Sequence, residues 1–251
     1  MLKVVLLDIS GVLTEDGEAL PGAVEAVSRL AASELSLRFL TNTSRKTSAA
    51  VCEELERLGF AVTPAQVFTA PGAIRRHLER HRLTPYLLVH ERLEPEFAGL
   101  PEGEPDAVVL GDAEQRLDYA HLDAAFRLLL EGAPLLAVGT NRYFRAQGTL
   151  HLDAGPFVRA LEYAADVEAR ILGKPSADFF HAVLEDAGVE PQEALMVGDD
   201  VECDVLAAME LGLAACLVRS GKYRPGDEER APEARCEASL AALVEALLET
   251  P

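Results

Sequence analysis

The feature that most constrains this chain is a repeated alternation of short, branched apolar runs with stretches of helical period. The run 3-KVVLLDI-9 is too short and too rich in branched residues for a helix, and its lack of polar alternation predicts a strand buried on both faces. A helix over 21–33 follows, opened by Pro21 and Gly22 and presenting Val24, Val27 and Leu30 on one side. The pairing recurs in 35-LSLRFLTN-42 with a helix over 47–58 stopped by Gly59, and again in the strand–helix unit over 66–81. Towards the other end, a strand over 169–173 leads to a helix over 177–188, and a strand over 194–199 to a helix over 204–212. A strand over 214–218 and a closing helix over 238–249 complete the series. Strand-then-helix units in succession predict an α/β fold, a doubly wound parallel sheet of Rossmann-like kind with helices on both faces.

The middle of the chain carries its own strands over 85–90, 106–111 and 134–139, with helices near 118–131 and 156–165. A stretch this long and this patterned is not a loop. It predicts a smaller α/β domain over 82–168, inserted into a first domain made of 1–81 and 169–251.

Composition narrows the function classes. A hydrophobic share of 49% excludes disorder. A formal net charge of −19 argues against nucleic acid, which would be approached against the protein's own field. The one dense basic stretch, 75-RRHLERHR-82, reads as the solvated face of a helix. Cys52, Cys203, Cys216 and Cys236 show no C-x-x-C spacing, so they form neither a zinc motif nor a disulfide framework and fit a reducing compartment. No run of 18 apolar residues occurs, and Asp8 interrupts the N-terminal one, so a cytoplasmic protein with no membrane partner is expected.

The chemistry gathers where the core strands are expected to end. Asp8 closes the first strand, 41-TNTS-44 the second, 173-GKPS-176 a third and 198-GDDVECD-204 a fourth. In a doubly wound sheet such ends share one edge, over the crevice where ligands bind. Singly, each has a plainer reading. Asp8 is a turn residue, Thr41 and Asn42 cap the next helix, Lys174 lies on the surface, and the acidic cluster favours a helix N-terminus. Together they form the complement of phosphoryl transfer: a nucleophile, ligands for a divalent cation, and donors for phosphate oxygens. Asp8 can attack phosphorus, as carboxylate nucleophiles do. Mg²⁺ takes oxygen ligands, and Asp8, Asp199 and the backbone carbonyl of Ser10 can supply them. Thr41, amides near Gly11 and Asn42, and Lys174 remain for the phosphate.

These residues carry a resemblance. DISGV at 8–12, TN at 41–42, GKPS at 173–176 and GDDVECD at 198–204 resemble the four motifs of the haloacid dehalogenase-like hydrolase superfamily. The G-D-x4-D spacing is met by Gly198, Asp199 and Asp204, and the insert matches members with a large α/β cap. The resemblance spans the chain, including 149-TLHLDAGPFVRALEYA-164 and 218-VRSGKYRPGDE-228. It implies a catalytic core of this family's fold and an aspartyl-phosphate formed on Asp8. It places Mg²⁺ on Asp8, the Ser10 carbonyl and Asp199, and phosphate near Ser10 and Gly11 and on Thr41, Asn42 and Lys174. Asp204 would support Lys174 or the waters of the cation. The substrate would be a small phosphorylated molecule or a phosphoprotein side chain, and a homodimer through the cap is implied. Asp200 and Glu202 are not counted among the site residues. Asn141, Arg142, Tyr143 and the stretch 153–155 are turn residues of the insert and candidates for specificity as much as for structure.

Position 10 departs from the family. Its motif is D-x-D, and the second aspartate protonates the leaving group and later activates water. A serine cannot do this near neutral pH, and such help is worth roughly 10²–10⁴-fold. The loss matters most when an alkoxide must leave. It matters least for pyrophosphate, or for phosphohistidine- and phospholysine-type N–P bonds, whose amine takes up its proton from solution. The sequence therefore predicts a hydrolase of activated phosphoryl groups. The alternatives are a phosphatase for small phosphomonoesters and a catalytically weak regulatory protein of the same family. A receiver module would need its acidic pair after the first strand and far less chain. A dinucleotide-binding oxidoreductase would need a glycine-rich turn where 11-GVLTEDG-17 stands.

Overall fold

The computed structural model describes residues 1–146 and 149–248. Val4–Asp8 is buried along its whole length, and it pairs in parallel on both sides. Leu7 faces Val197 across one ladder and Phe39 across the other. Branched side chains fill both faces of such a strand, which is why the run shows no polar alternation. The six-stranded sheet runs in the order Arg235–Glu237, Ala214–Val218, Ala194–Gly198, Val4–Asp8, Ser36–Thr41, Val67–Thr69. From Val4–Asp8 the chain moves outward in one direction to Ser36–Thr41. The later strands build outward from Ala194–Gly198 in the other. The order therefore reverses between Val4–Asp8 and Ala194–Gly198, and a switch point of this kind opens a crevice at the carboxyl ends of the two strands. Asp8 and Asp199 stand at those ends.

Val5, Leu7, Phe39, Leu195 and Val197 form one face of the sheet. They pack against Val27 and Leu30 of Ala23–Ala31, Val51 and Leu55 of Ser48–Arg57, and Leu243 and Val244 of Leu240–Leu248. On the other face Ala215 and Leu217 meet Val201 and Val205. The expected helix over 238–249 ends at Leu248 among the described residues, and Glu249 lies outside them. A two-strand hairpin, Thr14–Glu15 with Glu18–Ala19, follows the first strand. Its turn holds Asp16 and Gly17 at positive φ, the Asp-Gly signature of a tight hairpin.

The chain forms two compact units, 1–41 with 49–68 and 174–251, and 42–48 with 69–173. The second unit has a four-stranded parallel sheet in the order Arg170–Ile171, Leu135–Ala137, Ala107–Leu110, Pro85–Leu88. Val108, Leu110 and Leu135 pack with Ala125 and Leu129 of Tyr119–Leu130 and Val158 and Leu161 of Gly155–Ala165. The helix Ala70–His81 lies in this unit. One expectation is corrected: the strand over 169–173 is not a core strand. Arg170 and Ile171 pair with Leu136 and Ala137 at the edge of the smaller sheet. Arg170 is exposed while Ile171 packs inward, a one-sided pattern that belongs to an edge strand rather than to a strand covered on both faces. Among the described residues no helix is long and apolar enough to cross a membrane.

Candidate active site

Four charged side chains from three separate stretches of the first unit meet at the switch point. Asp8, Lys174, Asp199 and Asp204 are each no more than 5% exposed. Lys174 donates from Nζ to Asp8 Oδ1, and to Asp204 Oδ1 at 2.7 Å. Asp8, Asp199 and Asp204 each offer an oxygen within 4.8 Å of the others, a group able to hold a metal ion.

The stretch after Ala194–Gly198 carries two of these carboxylates, Asp199 directly at the strand end and Asp204 on an unusually wide helical turn. Asp200 caps Val201–Leu206, its Oδ1 accepting from the amides of Glu202 at 3.1 Å and Cys203 at 3.0 Å. Its carbonyl accepts from both Asp204 and Val205, so the turn opens to five residues, as π-type turns at functional sites do. Asp204 is thereby folded back under the strand end, where its Oδ2 accepts from the Asp200 amide at 3.2 Å. A Cβ on Gly198 would stand 2.2 Å from Asp204 Cβ, so the position next to Asp199 has no room for a side chain.

Asp199 is held from the far side. Its Oδ2 accepts from the Lys222 amide at 2.7 Å, while its Oδ1, also buried, has no hydrogen-bond partner. A buried, unsatisfied carboxylate oxygen is costly unless something absent from the protein satisfies it. Gly11 and Gly221 crowd the same group, each lacking the Cβ that would fall 2.0 Å from Asp199 Oδ2. The Gly11 amide donates to the Thr14 carbonyl at 2.7 Å, within its own loop.

Three carboxylates lie around one ammonium, and the crowding shifts two of them. Burial pushes Asp8 up to about 7, with Lys174 opposing and Asp204 and Asp199 adding to the rise. Burial likewise pushes Asp199 up to about 6, against the pull of the Lys222 amide. Burial works to lower Lys174, but the carboxylates of Asp204 and Asp8 outweigh it and the group is raised. Lys174 therefore stays charged, and Asp8 and Asp199 hold on to their protons to higher pH than free aspartates do.

Thr41 is buried at the end of Ser36–Thr41. Asn42 begins the 42–48 segment of the second unit, so the adjacent TN pair is divided between the units. Ser10 is exposed. Lys174 does not come off a core strand: it is the first residue after the chain leaves the second unit at Gly173. In the second unit two of the turn candidates make local contacts. The Gly155 amide donates to the Asn141 carbonyl at 3.0 Å, and Asp153 Oδ1 accepts from the Ala154 amide at 2.7 Å.

A family profile described as haloacid dehalogenase-like hydrolase matches residues 5–100, and a second, described as HAD-hydrolase-like, matches 171–246. The chain belongs to this family. The haloacid dehalogenase-like hydrolase domain-containing protein 2 of Homo sapiens is 44% identical over 229 residues, 91% of this chain and 88% of that protein. The phospholysine phosphohistidine inorganic pyrophosphate phosphatase of Danio rerio is 43% identical over 256 residues, 98% and 94% of the two chains. The p-nitrophenyl phosphatase from Archaeoglobus fulgidus superimposes with a TM-score of 0.89 at 25% identity, covering 98% of this chain and 99% of that one. This haloacid dehalogenase-like hydrolase is an enzyme, and proteins named as phosphatases are among both its relatives and its structural neighbours. No motif marks Gly221 and Lys222, which touch Asp199, because the contacts are a missing side chain and a backbone amide.

Proposed function

We propose that this chain is a Mg²⁺-dependent phosphohydrolase that acts through an aspartyl-phosphate on activated phosphoryl groups: pyrophosphate, or phosphohistidine- and phospholysine-type N–P bonds. The observation that carries the reading is the unpartnered Asp199 Oδ1, buried beside Asp8 and Asp204. The donors are all oxygens, which suits Mg²⁺ and not a softer metal. Asp8 and Asp199 would hold the ion, with the Ser10 carbonyl as a third ligand. When bound, the ion would neutralise charge between the carboxylates and a phosphoryl group.

Asp8 makes the attack. One carboxylate oxygen forms a bond to phosphorus as the bond to the leaving group breaks, and that group departs with the electron pair. Lys174 already pairs with Asp8, so its ammonium would stand beside the incoming phosphoryl oxygens and stabilise their charge. Asp204 keeps the ammonium there by holding it from behind. Thr41 would be a further donor for phosphate. In the second step water attacks phosphorus, the Asp8 carboxylate is released, and the proton lost by water goes to solvent, since position 10 carries no carboxylate.

That absence selects the substrate. Orthophosphate leaves readily from pyrophosphate, and an amine protonated from solution leaves readily from an N–P bond. An alkoxide needs an acid that Ser10 is not. The name of the Danio rerio relative supports the same class. A Mg²⁺ substrate panel, with Asp8→Asn as control, tests the reading. Faster turnover of pyrophosphate and phosphoramidates than of sugar phosphates is expected, and equal or better turnover of sugar phosphates would overturn it. Ser10→Asp should raise relative activity on alkyl phosphates, by about tenfold or more if acid catalysis is restored.

A further inference from the structure

The turn that follows Ala214–Val218 has no part in the four motifs, yet it makes the one hydrogen bond to Asp199 among the described residues. Its start is anchored by the Arg219 amide on the Glu237 carbonyl at 3.0 Å, and it closes with the Tyr223 amide on the Ser220 carbonyl at 3.2 Å. Ser220 Oγ donates to the Gly11 carbonyl, tying the turn to the loop after Asp8. Gly221, at φ +59, fits only because it has no side chain: a Cβ would lie 2.0 Å from Asp199 Oδ2 and 2.6 Å from Gly11 Cα. The exposed Lys222 side chain then reaches Asp200 Oδ2 at 3.1 Å. Asp200 is the cap whose amide holds Asp204, and Asp204 holds Lys174.

We propose that residues 220–222 are a positioning element for the cation. The Lys222 amide occupies Asp199 Oδ2 so that Oδ1 is the oxygen left to bind, and the Lys222–Asp200 ion pair keeps the turn in place. A carboxylate free at both oxygens can rotate or bind in two ways; one committed to an amide presents a single oxygen in a fixed direction. Outer contacts of this kind govern metal affinity by about 10–100-fold when removed. The inference rests on the reading of this site as a Mg²⁺ site.

The sign of the effect separates positioning from simple charge. Lys222 is a cation close to the place where another cation would bind. If it acted only through its charge, its removal would tighten Mg²⁺ binding. Positioning predicts the opposite. Mg²⁺ is titrated calorimetrically into the metal-free full-length chain and its Lys222→Ala, Lys222→Arg, Gly221→Ala and Asp199→Asn variants, with metal-free Tm measured alongside. Lys222→Ala should weaken Mg²⁺ about tenfold while leaving the metal-free Tm nearly unchanged, because its ion pair is exposed. Lys222→Arg, which can still pair with Asp200, should restore affinity, and Gly221→Ala should weaken it further. Unchanged or tighter binding in Lys222→Ala overturns the proposal, as does a joint fall in affinity and Tm that Lys222→Arg fails to restore. Should Asp199→Asn abolish binding while Lys222→Ala does not weaken it, only the positioning role falls. Should the wild-type chain bind no Mg²⁺, the functional reading falls and this inference with it.

Discussion

Lys174 is one positive charge among three buried carboxylates, and the imbalance makes the residues of the site unequal in what they do for stability. Removing the ammonium leaves the carboxylates uncompensated. Breaking a buried ion pair from one side typically costs about 3–5 kcal/mol, and Lys174→Met should lose that much in metal-free protein. Asp8 stands on the other side of the ledger. Asp8→Asn removes one of the repelling charges while leaving Lys174 paired with Asp204. It should raise metal-free stability by on the order of 1 kcal/mol while abolishing turnover, as substitutions at strained functional groups often do. Urea denaturation of both variants in EDTA checks the pair. A loss of stability in Asp8→Asn would show that the carboxylates are not in surplus.

Elements matter here through the loops they launch. The wide turn over Val201–Leu206 works only because Gly198 leaves space for Asp204, so Gly198→Ala should push Asp204 away from Lys174. Overpacking of this kind costs about 1–3 kcal/mol, and chemical denaturation should show it together with weaker Mg²⁺ binding. The core strands were legible because burial on both faces leaves an unbroken apolar run, as in 4-VVLLD-8, and the motif residues stand at their ends. The sheet that a strand joins was not legible. Periodicity reports a face and not a neighbour, so the apolar run over 169–173 looks like a core strand although Arg170–Ile171 pairs with Leu135–Ala137. Elements of two or three residues, such as Arg235–Glu237, carry too few positions for any period to show. The hairpin after Leu13 had a usable signal in Asp16-Gly17. The Lys222 contact had none, because every residue but proline carries the same amide.

At the scale of the whole molecule, pH acts on stability through two fields that salt can separate. In the unfolded chain an aspartate titrates near 3.8, whereas Asp8 in the folded, metal-free protein is pushed up to about 7 and Asp199 up to about 6. Between about pH 4 and 7 the folded state therefore holds more protons than the unfolded one, and stability falls as pH rises through that window. The formal net charge of −19 acts in the same direction, since deprotonating carboxylates across the surface adds self-repulsion. Surface repulsion is screened over about 3 Å in 1 M salt, but a buried cluster is screened far less. Metal-free Tm should thus fall from pH 5 to pH 7.5, and high salt should flatten only part of the fall. The remainder should shrink in Asp8→Asn, which has lost the group titrating highest. Mg²⁺ binds the deprotonated carboxylates, so the Tm gap between Mg²⁺ and EDTA should widen as pH rises over the same range. Thermal melts on a pH-by-salt grid read all of this at once. A decline that high salt removes completely, with no difference between wild type and Asp8→Asn, would assign the pH dependence to the surface and leave the buried cluster without a part in it.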